Sequence, residues 1–401
     1  LSTGQVQAID TADVAAMTTS QIGALSVEHM AAFTGLQLSH MTTTQVANLS
    51  TVQLPAIEPT DINWLTVDQL NELSTNQVNS MLTTQVASLT GKQLSQLGVD
   101  QFSAFDTDKI VALTASQIKY LNTDQLASLS TTQAVAIETS DLALLSGSQI
   151  AAIGPDAFAS LTTDQIKGMR RVQVSSFTAD QLRAMTTEQL AAIELADITG
   201  LSGTQLNVLS TEQFNAITTD QVRSLTASQI SSLNADLVGS LTDAQLVAVT
   251  TGGIGAISAT QVHALNTHQI ATLTTAQISS LQAASIGALN SGQVVALDTA
   301  QIVALTQTQI ASLSNDDIAS LQNSQIEVIE TQDIAALTAS QVSSLTTSQL
   351  QAVTTTQISA IETRDLTALS TDNIVALSST QIRALTAQQI TNLTTDQTSH
   401  I

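Results

Sequence analysis

Leu345, Thr346, Thr347, Ser348, Gln349, Leu350, Gln351 and Ala352 make up one copy of an eight-residue phrase that fills the whole chain. Counting from Leu1, positions 1, 9, 17 and onward to 401 are all Leu, Ile, Met, Phe or Val, which gives fifty octads and a closing Ile401 without insertion or deletion. Position five of the octad is Gln in 36 of 50 copies. Position six is aliphatic, Phe or Met in 48, with Ala134 and Thr398 the exceptions, and position two is Ser, Thr, Asn or Asp in 39. So strict a period means that each octad is one structural unit meeting equivalent neighbours, as in solenoids, rather than a part of a globule with one unique site.

The three constraints share one physical reading, a helix start. Thr/Ser-x-x-Gln is the capping box, in which the hydroxyl accepts from the backbone N–H three residues on and the Gln side chain reaches back to the cap. Leu345 before the cap and Leu350 after it have the spacing of a hydrophobic staple. A continuous helix is excluded by arithmetic: eight residues advance about 800°, so a fixed apolar position would drift roughly 80° around the axis per repeat. The pattern therefore predicts an all-α solenoid of about fifty mini-helices, each from about position three to position eight, with the chain turning between octads.

Charge agrees with this polarity. A helix N-terminus favours carboxylates, and 31 of the 33 acidic residues lie at positions two to five, all but Glu72 and Glu327. Five of the ten basic residues, Lys119, Lys167, Arg183, Arg223 and Arg383, lie at position seven, near the helix end. Pro59 and Pro155 occupy position three, the first helical residue, where a missing N–H is no loss; Pro55, at position seven, should loosen or end its helix early. The alternative is a β-solenoid, since Thr, Ile and Val favour strands and eight is even. Against it, positions one and six have opposite parity and would point to opposite faces of a strand.

One octad cannot order itself. Burying about one Leu, one Ile and one Ala stabilises by roughly 3 to 6 kcal/mol, whereas fixing eight residues costs on the order of 8 to 16 kcal/mol of backbone entropy. The string must wind into a superhelix whose coils stack, or pack with other copies, so self-association is an expected mode of partnering. A slower rhythm of octads lacking Gln, including those of Lys109 and Leu237, suggests about five or six octads per superhelical turn.

Those exceptional octads hold the best candidates for chemistry. Asp10 with Asp13, Glu58 with Asp61, Glu138 with Asp141, Glu194 with Asp197, Glu330 with Asp333 and Glu362 with Asp365 each pair two carboxylates three residues apart, on one side of a helix, where they are candidate Ca²⁺ ligands. The reading favoured over calcium is an acidic cap plus a first-turn Asp, a capping and dipole arrangement. The EF-hand loop and the Gly-rich calcium nonapeptide are both missing. Apart from calcium, no cofactor is expected.

Enzymatic constellations are not found. His29, His40, His263, His268 and His400 fall at octad positions five, eight, seven, four and eight, so the repeat does not align them as ligands. The abundant Ser and Thr are accounted for by capping, and no catalytic residue is expected. Arg170 and Arg171, the one adjacent basic pair, are expected to pair with nearby acidic caps. Trp64 and Tyr120 stand where Ala or Ser is usual, so neighbouring helices must spread there or the rings must lie outside. A formal charge of −23 argues against nucleic acid. No apolar run approaches the roughly 20 residues of a transmembrane helix, and without Cys the fold cannot depend on redox state.

Leu289, Asn290, Ser291, Gly292, Gln293, Val294, Val295, Ala296 and Leu297 resemble the opening helix of a TAL-effector DNA-binding repeat, but that repeat is more than four times longer and the acidic charge contradicts its DNA role. More broadly, the whole chain resembles the Thr/Ser/Gln-rich octapeptide arrays of very large bacterial surface or secreted, adhesin-like proteins. This implies a single continuous array over 1–401, an excerpt of a longer extracellular protein, acting as spacer, stalk or filament body. A second class compatible with the pattern is a binding module holding an extended peptide, glycan or surface ligand in a superhelical groove, and a third is an ice- or surface-binding array of Thr.

Overall fold

A computed structural model describes all 401 residues, and it is entirely helical. Forty-eight short α-helices and two 3-10 segments account for the fifty octads, and no strand forms, so the β-solenoid is ruled out. The helix of the quoted octad, Thr347–Ala352, shows why each is short. Thr346 caps it from an extended backbone (φ −69°, ψ 159°), its hydroxyl accepting from Gln349 N–H while Gln349 Oε1 accepts from Thr346 N–H at 2.8 Å. At the far end Val353 is already extended again (φ −60°, ψ 127°). Two extended residues, positions one and two, thus turn the chain between helices. No residue needs a positive φ, and none has one, which explains how a chain this sparse in Gly makes a corner in every octad.

Positions six and one fill the interior: Leu350 is 0% and Leu345 4% exposed, and their equivalents repeat this along the chain. Pro55 has the expected effect, replacing its octad's α-helix with the 3-10 segment Leu54–Ala56. Three octads lose half of the capping box because position two is Leu82, Arg170 or Gln322; there the Gln limb alone remains, at 2.8 to 2.9 Å.

The chain divides into two compact units, Leu1–Leu201 and Ser202–Ile401. Within the first, helices three octads apart pack together, such as Thr11–Ala16 on Gly35–His40. The coils are joined by the second limb of Gln: Gln37 Nε2 donates to Val6 O and Ile9 O, both at 2.9 Å, and Gln45 Nε2 to Val14 O and Met17 O. The same ladder runs through the second unit, where Gln349 Nε2 reaches Ile318 O at 2.8 Å and Leu321 O at 2.7 Å. Since each amide reaches back 28 to 31 residues, a coil holds between three and four octads. This corrects the five or six octads inferred from the slow rhythm of Gln-less octads, which does not mark the coil.

Within each unit, position eight of an octad lies over position three of the octad three copies earlier, 29 residues back. Ser160 and Ser312 hydroxyls accordingly donate to the carbonyls of Thr131 and Ala283. Trp64 and Tyr120 sit at position eight, and beneath them are Gly35 and Gly91, where a methyl group would fall inside the ring. The helices do not spread; a glycine in the coil below makes room for the face of each ring, which stays about half exposed to solvent. Gly35→Ala should therefore expel Trp64, costing about 1–3 kcal/mol, as overpacking does. Tryptophan emission checks this, because Trp64 is the chain's one tryptophan: it should shift to the red in Gly35→Ala, and an unshifted spectrum would mean that the ring keeps its place.

Candidate functional site

Position five does two jobs in a Gln octad: its oxygen closes the capping box and its amide nitrogen donates to two carbonyls of the preceding coil. Substitutes can be judged by how many of these they keep. His29 keeps both, since its Nδ1 accepts from Ser26 N–H at 3.2 Å and its Nε2 lies 2.7 Å from Leu1 O. Asn373 keeps the backward donor, Nδ2 to Leu345 O at 3.0 Å, and Ser285 does so with its hydroxyl, 2.9 Å from Ile257 O. Lys109 is buried and turns to Asp106, 2.7 Å away.

Asp has no donor and is shorter than Gln by one methylene, so the backward limb is lost. Asp317 is buried yet satisfied, because Ser291 Oγ donates to one oxygen at 3.1 Å and Ser314 Oγ to the other at 2.5 Å. The acidic pairs differ, because their cap is Glu. Glu58, Glu138, Glu330 and Glu362 make no side-chain capping bond, so the reading of these four pairs as acidic caps is corrected; a Glu side chain here leads out to solvent instead. Each of these octads keeps a helix of only four residues: Pro59–Ile62, Thr139–Leu142, Thr331–Ile334 and Thr363–Leu366. Asp10 alone behaves as expected of a cap, accepting from Ala12 N–H at 2.8 Å, with Asp13 exposed beside it. Glu194 is exposed, 3.8 Å from Lys167, and Asp197 is half-buried ahead of the 3-10 segment Ile198–Gly200. Asp61 accepts from Gly35 N–H at 2.8 Å.

The remaining three Asp residues, Asp141, Asp333 and Asp365, are buried. Asp333 is 2% exposed and its Oδ1 has no hydrogen-bond partner. It lines an open cleft of about 400 Å³ with Glu330, Gln332, Val303, Leu305, Thr306, Gln307 and Thr308. Burial, reinforced by the Glu330 charge, pushes its carboxyl up to about 6, and the same two causes raise Asp141 beside Glu138. At Asp365, 1% exposed, burial again raises the carboxyl, opposed by Arg364. Arg364 Nε lies 2.9 Å from Glu362 Oε2 and 3.3 Å from Asp365 Oδ1, near enough for ion pairing although not aligned as a hydrogen bond to Asp365.

A raised carboxyl destabilises the fold where it is ionised. The folded value of Asp333 lies above its ordinary 3.8, so any penalty is absent below that value and is fully developed once the pH has risen through about 6. Asp333→Asn should therefore gain about 1–2 kcal/mol at pH 7.5, allowing for solvent in the open cleft, and nothing at pH 3.5. Amide exchange of Leu305–Thr308 and Thr331–Ile334 at the two pH values measures the difference.

The other sequence candidates do not join this site. Arg170 and Arg171 donate to the carbonyls of Ala143 and Thr199, at 2.5 and 3.3 Å, so the expected ion pairs are replaced by backbone contacts between coils. His268 pairs with Asp243 at 2.9 Å, and His263 Nδ1 faces Ala288 O, so these two histidines point to different partners. No helix is long and apolar enough to cross a membrane.

None of the curated proteins matches the chain. The family model of the ALTTAQ repeat matches residues 1–27, 54–91, 134–170, 190–227, 243–275, 286–327, 326–361 and 358–395, well over half of the sequence and spread over both units. With its octad period, its short capped helices and its stacked coils, the chain belongs to the ALTTAQ repeat family.

Proposed function

We propose that this array is a structural element, the spacer, stalk or filament body of a bacterial extracellular or cell-surface protein. The observation that carries the reading is the Gln ladder. The same two backward bonds recur within each unit, as at Gln37 in the first and Gln397 in the second, so the chain spends its most constant polar residue on contact with itself and extends by adding equivalent octads. The net charge of −23 supports it by keeping neighbouring chains apart in solution. In this role the chain has no catalytic residue and contacts no nucleic acid, whose phosphates its charge would repel.

A second reading, a groove that binds an extended peptide or glycan, draws on one feature of the first unit: an open, largely apolar cleft of about 450 Å³ formed by Thr107, Thr131, Thr132, Val135, Ala136 and Ser160. The two readings separate in cells displaying the protein. Scrambling the exposed residues at positions three, four and seven while keeping all fifty octads should leave attachment to a surface intact, and removing half of the octads should abolish it. Attachment lost on scrambling alone would overturn the spacer reading in favour of the groove.

A further inference from the structure

Five of the acidic pairs share a sequence frame, Glu-x-x-Asp, and differ at the two residues between: Glu-Pro-Thr-Asp at 58–61, Glu-Thr-Ser-Asp at 138–141, Glu-Leu-Ala-Asp at 194–197, where the Asp is only half-buried, Glu-Thr-Gln-Asp at 330–333 and Glu-Thr-Arg-Asp at 362–365. In the last, the guanidinium of Arg364 stands between the two carboxylates, within 2.9 Å of one and 3.3 Å of the other. The chain thus places a cation of its own in this slot once. Glu330 and Asp333 have the same frame with neutral Gln332 in place of Arg364, and there Asp333 Oδ1 is buried, without a partner, and borders an open cleft. Glu138 and Asp141 repeat the arrangement, with Ser140 between a solvent-facing Glu and a buried Asp.

We infer that the Glu330–Asp333 slot, and by the same frame the Glu138–Asp141 slot, takes up a hard divalent cation of the calcium type in the position that Arg364 fills in its own octad. The inference goes beyond the spacer reading and does not depend on it. A cation is favoured over an anion or a neutral guest because the groups that converge are acceptors: one carboxylate exposed and able to swing, one buried and fixed, and next to them a backbone that has lost the Gln donor. In the intact ladder that donor would have reached 28 and 31 residues back, to Leu305 and Ile302, as Gln341 does to Leu313 and Ile310. Carboxylate and carbonyl oxygens are the ligands calcium prefers, and water completes its shell of six to eight. Glu330 Oε2 now accepts from Gln332 Nε2 at 2.6 Å; turning that amide over would direct its oxygen toward the same guest. Asp61 is left out because Gly35 N–H already occupies it. With only two carboxylates per slot, the affinity belongs to the weak class, with Kd on the order of 10⁻⁴ to 10⁻³ M, as in extracellular calcium modules.

The frame supplies its own reciprocal test. Calcium chloride is titrated into the chelator-treated full chain by calorimetry, in parallel with Gln332→Arg and Arg364→Gln. Both changes fall at exposed position four, so neither threatens folding, and circular dichroism verifies this. Saturable binding is expected, with one ion fewer per chain in Gln332→Arg and one more in Arg364→Gln. Asp333→Asn should likewise lose one ion. The absence of saturation up to about 10 mM, or a stoichiometry unmoved by both swaps, would overturn the inference and leave only diffuse counterion attraction to an acidic chain.

Discussion

Gln277→Leu should open the array locally, raising amide exchange around Leu246–Val249 and Thr274–Ser280 by about 100-fold or more. Gln277 is 2% exposed. Its oxygen accepts from Thr274 N–H at 2.9 Å, and its Nε2 donates to Leu246 O at 3.0 Å and Val249 O at 2.8 Å. Leucine fills the volume but leaves Thr274 N–H and Val249 O without partners, each costing about 1–3 kcal/mol when buried, and takes from Leu246 O the stronger of its two donors, the other being Val249 N–H at 3.2 Å. Taken together, about 3–5 kcal/mol is expected, and every 1.4 kcal/mol is a tenfold change in the open population. Hydrogen exchange is the right measurement because an array opens region by region, so a single melting temperature would average the effect away. Gln277→His is the control, since His29 shows that an imidazole can satisfy both limbs, and it should retain most of the protection. Exchange left unchanged in Gln277→Leu would mean that coils are held by apolar packing alone.

The second large effect concerns register. Deleting the complete octad Leu273–Ser280 should change the stability of the second unit by no more than about 1 kcal/mol, within the range of ordinary substitutions. Each later Gln then meets carbonyls from an octad equivalent to the one it lost. Deleting only Leu273–Ala276 is different. The backward spans of 28 and 31 residues that make Gln293 meet Leu265 and Val262 would fall short by four across a whole coil. Three to four Gln residues would lose their acceptors, and Leu and Ile at positions one and six would turn toward water at roughly 1.5–3 kcal/mol each. The expected loss is on the order of 10 kcal/mol, seen as a break in protection confined to the coils on either side. Chemical denaturation followed by circular dichroism distinguishes the two deletions, and equal effects would refute the stacked-coil account.

These results show where sequence carries structural information in such a chain. The capping box was readable because both partners, Thr346 and Gln349, are three residues apart, and local geometry fixes their relation. The size of the coil was not, because it depends on the other half of the Gln349 amide, whose acceptors Ile318 and Leu321 are main-chain groups that any residue would present. The acidic pairs failed as caps for a steric reason. Glu is one methylene longer than the Asp that caps at Asp10, and the bond back to the helix N-terminus does not form. Asp333 and Asp365 look alike in sequence, yet what separates them is the neighbour at position four, Gln332 or Arg364. The Trp64 and Gly35 pair did leave a signal: a glycine 29 residues before an aromatic, repeated at Gly91 and Tyr120. It becomes legible only once the coil length is known.

The position-five Gln amides of the ladder point the same way along the chain, toward residues that come earlier, as at Gln37 and Gln349. A coil therefore presents finished carbonyls to the Gln donors that follow it, and only scattered contacts, such as Gly35 N–H to Asp61 and Arg171 to Thr199 O, reach forward. The bonds between coils span 25 to 31 residues in a chain of 401, a low contact order for its size. Order can advance as a front, each new octad docking onto a completed surface about one coil behind it, with no long loop to close. An array made this way can be lengthened by duplication without slowing its assembly, because the work at the growing edge is the same whether ten octads or a thousand stand behind it.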